Sequence, residues 1–183
     1  MKVVNLNPSF SYFNDFTVES NTSQTYRVEI RSLSEHLNTC SCPDYDSNGL
    51  GTCKHVEKVL LTLKKRGKRK FKAVSQDGNP RVEIYVNPAD NHIKIMWPQE
   101  EIPELNFLKD FFSASGSLLS EGKTALPVIS RLLHKQPETI REKVRLSARL
   151  QTVLIESLDF TQKIEAIRLR GGVPHFSKFL NFV

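Results

Sequence analysis

Polar and apolar residues alternate in Phe16-Thr17-Val18-Glu19 and again in Tyr26-Arg27-Val28-Glu29-Ile30-Arg31, a period of two that belongs to strands with one buried face. Asn21-Thr22-Ser23-Gln24 between them has turn chemistry, so the stretch predicts a β-hairpin. The period then lengthens. Val56, Val59, Leu60 and Leu63 recur at i, i+3, i+4 and i+7, which predicts an amphipathic helix over 53–66. Gly67 is placed to terminate it, and the cations of its last turn suit the negative end of the helix dipole.

Arg81-Val82-Glu83-Ile84-Tyr85-Val86 and His92-Ile93-Lys94-Ile95-Met96-Trp97 flank Asn87-Pro88-Ala89-Asp90-Asn91. They predict a second hairpin, ended by Pro98 and Pro103. A short helix is expected over 104–112 and a loop over 113–122. The remainder reads as helical: 124–134, a longer helix opened by Pro137 and reaching about Leu158, and 161–170, stopped by Gly171-Gly172.

The candidate chemistry lies between the first hairpin and its helix. The chain's 3 cysteines are Cys40, Cys42 and Cys53, and with His55 they form Cys-x-Cys, a ten-residue gap, then Cys-x-His. Three thiolates and one imidazole complete a tetrahedral shell for Zn²⁺, with no vacant position for water or substrate, which marks a structural site. In an extended segment ending at Cys42, side chains two apart share a side, so both thiolates reach one ion. His55 falls in the first turn of the predicted helix and leans toward its apolar face. The residues between the pairs, Pro43, Asp44, Asp46, Ser47, Asn48, Gly49 and Gly51, predict a tight, turn-rich loop.

Asp44, Asp46 and His36 are the other ligands within reach, and each is more simply a turn or surface residue. A cysteine-histidine nucleophile pair is the enzymatic alternative. It needs a free thiol beside a base and a group to orient that base, a poor match to four residues in metal spacing. A filled site with three thiolates carries a net negative charge, which Lys54 and the basic residues nearby would offset.

Cys40-x-Cys42, Pro43-Asp44, Cys53-x-His55, the enclosed Lys54 and the hydrophobic helix behind them together resemble a SWIM-type zinc finger, over about residues 16 to 66. That family occurs in Swi/Snf-related ATPases, mainly bacterial, in Mutator-type transposases and in some ubiquitin-ligase and kinase proteins. The resemblance implies one structural Zn²⁺ and a role in binding DNA or proteins, with no catalytic activity. A finger followed by a mixed unit is similar to the region preceding the motor of bacterial Swi/Snf-type ATPases. The chain holds no motor motif, so the resemblance implies an accessory region or a free-standing relative, with a helicase-like ATPase as partner in cis or in trans. On this reading Phe176–Val183 is where a longer protein was cut.

Composition fits this picture. With 39% hydrophobic and 25% charged residues the chain is ordinary for a folded domain, and disorder is not indicated. No apolar stretch is long enough for a membrane span or a secretory signal. Three clustered cysteines suit a metal site in a reducing compartment. A cytoplasmic protein is expected, nucleoid-associated if bacterial, with no membrane partner and no small-molecule substrate.

The charge is local. Lys64, Lys65, Arg66, Lys68, Arg69, Lys70 and Lys72 form a run whose seven charges exceed the net +6 of the whole chain. Such a run gains affinity for nucleic acid by displacing counterions, and Phe71 would add a stacking surface. Its simpler reading is a solvated linker. Arg141, Arg145 and Arg149 share a helix face by their spacing and, with Glu138 and Glu142 before them, read as an ion-paired surface rather than a second phosphate-binding stripe. Gly116 to Thr124 imitates a phosphate loop but has five residues between its glycines and no strand before it, so it reads as a helix-entry loop. Trp97, Phe111 and Phe112 are expected in a core or domain interface.

The expected fold class is α+β: a small zinc-stabilised hairpin and helix module with a basic tail over 1–72, then an accessory unit of hairpin and helices over 73–183. DNA binding without sequence preference is the expected function. Protein-protein interaction, or an intramolecular regulatory role, is the alternative.

Overall fold

The computed structural model describes residues 1–21, 23–152 and 154. Strands β1 (Lys2–Asn5), β2 (Asp15–Glu19), β3 (Thr25–Glu29) and β4 (Thr39–Cys40) form one antiparallel sheet in that order. Phe16 pairs with Val28, and Val28 with Cys40, so one face carries Phe16, Val18, Val28, Ile30 and Cys40, all buried. After a short helix, α1 (Pro43–Asn48), comes α2 (Lys54–Arg66), which lays Val56, Val59 and Leu63 on that face. The predicted hairpin is therefore the middle of a four-stranded sheet. The predicted loop between the cysteine pairs contains α1, with Pro43 in its first turn and Gly49 closing it at φ 65°, in the left-handed region open to glycine.

The basic run is helical. α2 ends at Gly67, and α3 (Lys68–Asp77) starts immediately after it. Phe71 is not a free stacking surface. It is half-buried against the first core, edge-on to Tyr12 with ring centroids 6.3 Å apart, and so anchors α3.

β5 (Val82–Val86) and β6 (Ile93–Met96) make the expected second hairpin, with Ile84 opposite Ile95. A 3-10 helix (Pro103–Phe111) and α4 (Gly122–His134) cover it. Ile84, Leu105, Leu108, Ile129 and Leu150 are fully buried in this second core, where Phe112, Trp97 and Phe111 also pack. The long helix expected from Pro137 is broken. α5 (Glu138–Arg141) lasts one turn, β7 (Val144–Leu146) pairs parallel with β5, and helical residues resume at 148. The helix expected over 161–170 lies outside the described residues. No helix among the described residues is long and apolar enough to cross a membrane.

Two separate apolar cores meet across a polar seam. The back of the first sheet carries Asp15, Glu29 and the following Arg31, and β5 and β7 bring up Glu83 and Arg145. Arg145, expected on a solvated helix face, is nearly buried on a strand. Its Nε donates to both Glu83 oxygens at 2.8 Å, its Nη1 to Asp15 at 3.1 Å and its Nη2 to the Ile30 carbonyl at 2.9 Å. Glu83 is fully buried and also accepts from Asn79 at 2.7 Å. Glu29 accepts from the Ala148 N–H at 2.6 Å, from Thr39 at 2.9 Å and from Arg31. Arg81 donates to the Phe13 carbonyl and lies over the Phe10 ring. Buried charges are tolerated when paired and hydrogen-bonded in this way.

Burial alone pushes the Glu29 carboxyl up, but Arg31, the Ala148 N–H, Thr39 and Arg145 together hold it below its ordinary value of 4.5. A carboxyl depressed in the folded state contributes stability that is present above its unfolded value and is lost as pH falls through the folded one. In urea unfolding, the stability gap between the parent protein and Glu29→Gln is expected to be full near neutrality and to narrow once pH drops below about 4.5. Both proteins keep the same cysteine-histidine cluster, so acid loss of metal shifts both alike. A gap that stays constant down to acid would remove Glu29 from the pH response.

Candidate metal centre

Backbone geometry delivers the four ligands. Cys40 ends β4, while Cys42 and Cys53 stand as the extended N-caps of α1 and α2, at φ −84°, ψ 147° and φ −155°, ψ 170°. His55 lies in the first turn of α2. Two helix N-termini are thus aimed at the thiols, an arrangement that favours negative charge. The loop is pinned from outside: the Tyr45 hydroxyl donates to the Asn38 carbonyl at 2.5 Å, and Asn48 donates to the Thr52 carbonyl at 3.0 Å. Tyr45 and Asn38 carry no motif signal; only their proximity to Cys40 and Cys42 would single them out.

The ligand atoms of Cys40, Cys42, Cys53 and His55 all lie within 4.8 Å of one another, and all four residues are buried. Cys42 Sγ is 3.6 Å from Cys53 Sγ, and His55 Nδ1 is 3.8 Å from Cys40 Sγ and 3.9 Å from Cys53 Sγ. A tetrahedral zinc with ordinary bond lengths requires separations of about 3.8 Å between sulfurs and about 3.6 Å from sulfur to nitrogen. These three separations are within a few tenths of an ångström of that shape.

The electrostatics are compatible with a bound cation. Burial pushes the Cys40 and Cys53 thiols up, although backbone N–H groups of Cys42 and of Val56 and His55 point at their sulfurs. Burial, and then Lys54, push His55 down, which favours the neutral imidazole that binds metal. A positive ion at the sulfurs offsets this cost of ionising Cys40 and Cys53, and Zn²⁺ supplies it. The donor set fits one structural zinc. Asp44 and Asp46, the nearby alternatives, are exposed on α1, and exposed His36 turns its Nδ1 to the Leu50 carbonyl at 3.2 Å.

Residues 26–64 match the SWIM zinc finger. The matched segment runs from Tyr26, the second residue of β3, to the last turn of α2, and includes all four ligands. No curated protein and no solved structure matches the chain.

The seven basic residues begin inside this unit and extend past it. Lys64, Lys65 and Arg66 form the last turn of α2, and Lys68, Arg69, Lys70 and Lys72 lie on α3. All are exposed, and none is ion-paired among the described residues. The α2 cations suit the end of their helix. Those on α3 do not: they crowd its positive N-terminal end, where the first turn has no acidic residue. Residues 113–121 form the loop that enters α4, as expected.

Proposed function

We propose that this chain is a zinc-held module that grips the phosphates of DNA without reading sequence, and that it works as an accessory to a Swi/Snf-type ATPase inside the cell. The observation that carries the reading is the corner between α2 and α3. Seven exposed cations, unpaired among the described residues, gather there, and those in the first turn of α3 repel the dipole of their own helix. A local arrangement that costs stability calls for an anionic partner to offset it. In this reading zinc is structural, the chain performs no chemistry of its own, and the ATPase supplies the motor. The SWIM match supports the zinc module, and the charge pattern supports the partner.

Phosphate contacts position a protein without choosing a base. Fluorescence anisotropy is expected to show binding to unrelated duplexes with similar affinity. If six or more phosphates are neutralised, affinity should fall about 10³-fold or more between 50 and 200 mM salt. Changing Lys64, Lys65, Arg66, Lys68, Arg69 and Lys70 to glutamate should abolish binding with zinc content unchanged. Absence of binding by the parent protein at low salt overturns the reading.

A second reading, protein interaction, draws on a different place. Leu50, at the tip of the zinc loop, is 66% exposed. It borders a cleft of about 780 Å³ between that loop and the β5–β6 turn, with Pro88 and Ala89 opposite. A zinc-loaded protein that ignores DNA but loses an ATPase partner on Leu50→Asp would select this reading.

A further inference from the structure

We infer that His55 holds the metal through Nδ1, and that Tyr26 is the residue that positions its ring. The inference rests on the zinc site and not on the proposed DNA contact. It begins with spacing: one residue separates Cys53 from His55, so the imidazole must reach the ion shared with that cysteine from close to the backbone. Nδ1 is the ring nitrogen nearer the backbone. It stands 3.8 Å and 3.9 Å from the Cys40 and Cys53 sulfurs. Nε2 is buried and has no hydrogen-bond partner among the described residues.

That orphan has a consequence. A neutral imidazole bound through Nδ1 carries its proton on Nε2, and a ligating histidine ordinarily gives that proton to a carboxylate, carbonyl or water that fixes the ring. Among the described residues no acceptor does so here, and packing is left to orient the ring. The aromatic side chain in place is Tyr26, whose ring centroid lies 4.6 Å from that of His55 at an interplanar angle of 37°. Tyr26 is half-buried on β3, on the same face as Val28, the residue that pairs with Cys40. Its hydroxyl donates to Gln24 Oε1, which tethers the ring at the rim of the site. One strand therefore supports the histidine by a tilted ring contact and the first thiolate by pairing.

The test uses the zinc-loaded, ¹⁵N-labelled protein. Long-range proton-nitrogen correlation of the imidazole is expected to show a protonated Nε2 and a metal-bound Nδ1, with nuclear Overhauser contacts between the rings of His55 and Tyr26. Chelator competition should find Tyr26→Leu weaker for zinc by about 10- to 100-fold, the loss typical of removing a group that orients a ligand. Tyr26→Phe, which keeps the ring and loses only the hydroxyl, should bind close to the parent. Ligation through Nε2, missing contacts between the rings, or equal affinity of the leucine and phenylalanine variants overturns the inference. Because the nitrogen and the ring contacts are read on the parent protein, misfolding of the leucine variant leaves those two outcomes decisive. Metal analysis of the same samples separates this failure from failure of the site: one zinc per chain bound through Nε2 leaves the zinc centre standing.

Discussion

Cys42→Ser is expected to cost the protein its zinc and, with it, the folded state of residues 26–64. Cys42 is 1% exposed, caps α1, and lies 3.6 Å from the Cys53 sulfur. A serine hydroxyl stays protonated near neutrality and cannot replace a thiolate in a tetrahedral site. Apparent binding energies of structural zinc are about 10–16 kcal/mol, as large as the whole stability of an ordinary domain. The apolar core of this unit is small: four strands and α2 gather chiefly Phe16, Val18, Val28, Ile30, Val56, Val59 and Leu63, with the ligands themselves filling the rest. A core of that size depends on its staple. Metal analysis should find one zinc per parent chain and none in the variant, and circular dichroism should show the loss of a cooperative transition. A strong chelator should do the same to the parent. A serine variant that melts with the parent would refute a structural role for the ion.

Glu83→Ala should be the most damaging change remote from the metal. It leaves Arg145 buried with its Nε bereft of both carboxylate oxygens, and Asn79 without its acceptor. Removing one partner of a buried ion pair typically costs about 3–5 kcal/mol. Replacing both partners, Glu83→Leu with Arg145→Met, should cost less than the sum of the two single changes, since no charge is then stranded. Denaturant unfolding of the four proteins closes the cycle. Because Arg145 also holds Asp15 and the Ile30 carbonyl on the first sheet, the single variants should loosen the link between the two cores as well as the second core. Simple additivity of the two changes would show that the seam is not a coupled network.

The metal ligands, both hairpins and α2 were legible because each rests on local pattern: ligand spacing, alternation around a turn, a period of 3.6. What escaped depends on partners far along the chain. β4 is two residues long and exists as a strand only because Val28 and Glu29 pair with it. β7 was hidden by a false period. Arg141, Arg145 and Arg149 are four apart, as on a helix, yet the first ends α5, the second lies on a strand and the third follows a new helix start. The parallel pairing of Val144 with Val82 crosses more than sixty residues, beyond the reach of any local pattern. Likewise Glu29 and Arg31 alternate correctly with Val28 and Ile30. The alternation gave no sign that their polar face would be covered instead of wet. Tyr26 stood in the hairpin as one more strand aromatic; its contact with His55 required the register.

The polar seam also bears on how this chain can change over time. A zinc finger that closes on its own ion is easily imagined as a bead, free to be shuffled among proteins. Here the back of its sheet is cut like one half of a keyed joint. Asp15 and the Ile30 carbonyl receive Arg145, and Glu29 receives the Ala148 N–H, so a change at Asp15 or Arg145 is felt on both sides of the joint. Moved to a foreign neighbour, the finger would take its metal and its internal pairs along, Asp15 with Arg27 and Glu29 with Arg31, but would lose the bonds from Arg145 and the Ala148 N–H. The ligands are portable, whereas the face that locks the finger in place is shaped by the unit it meets.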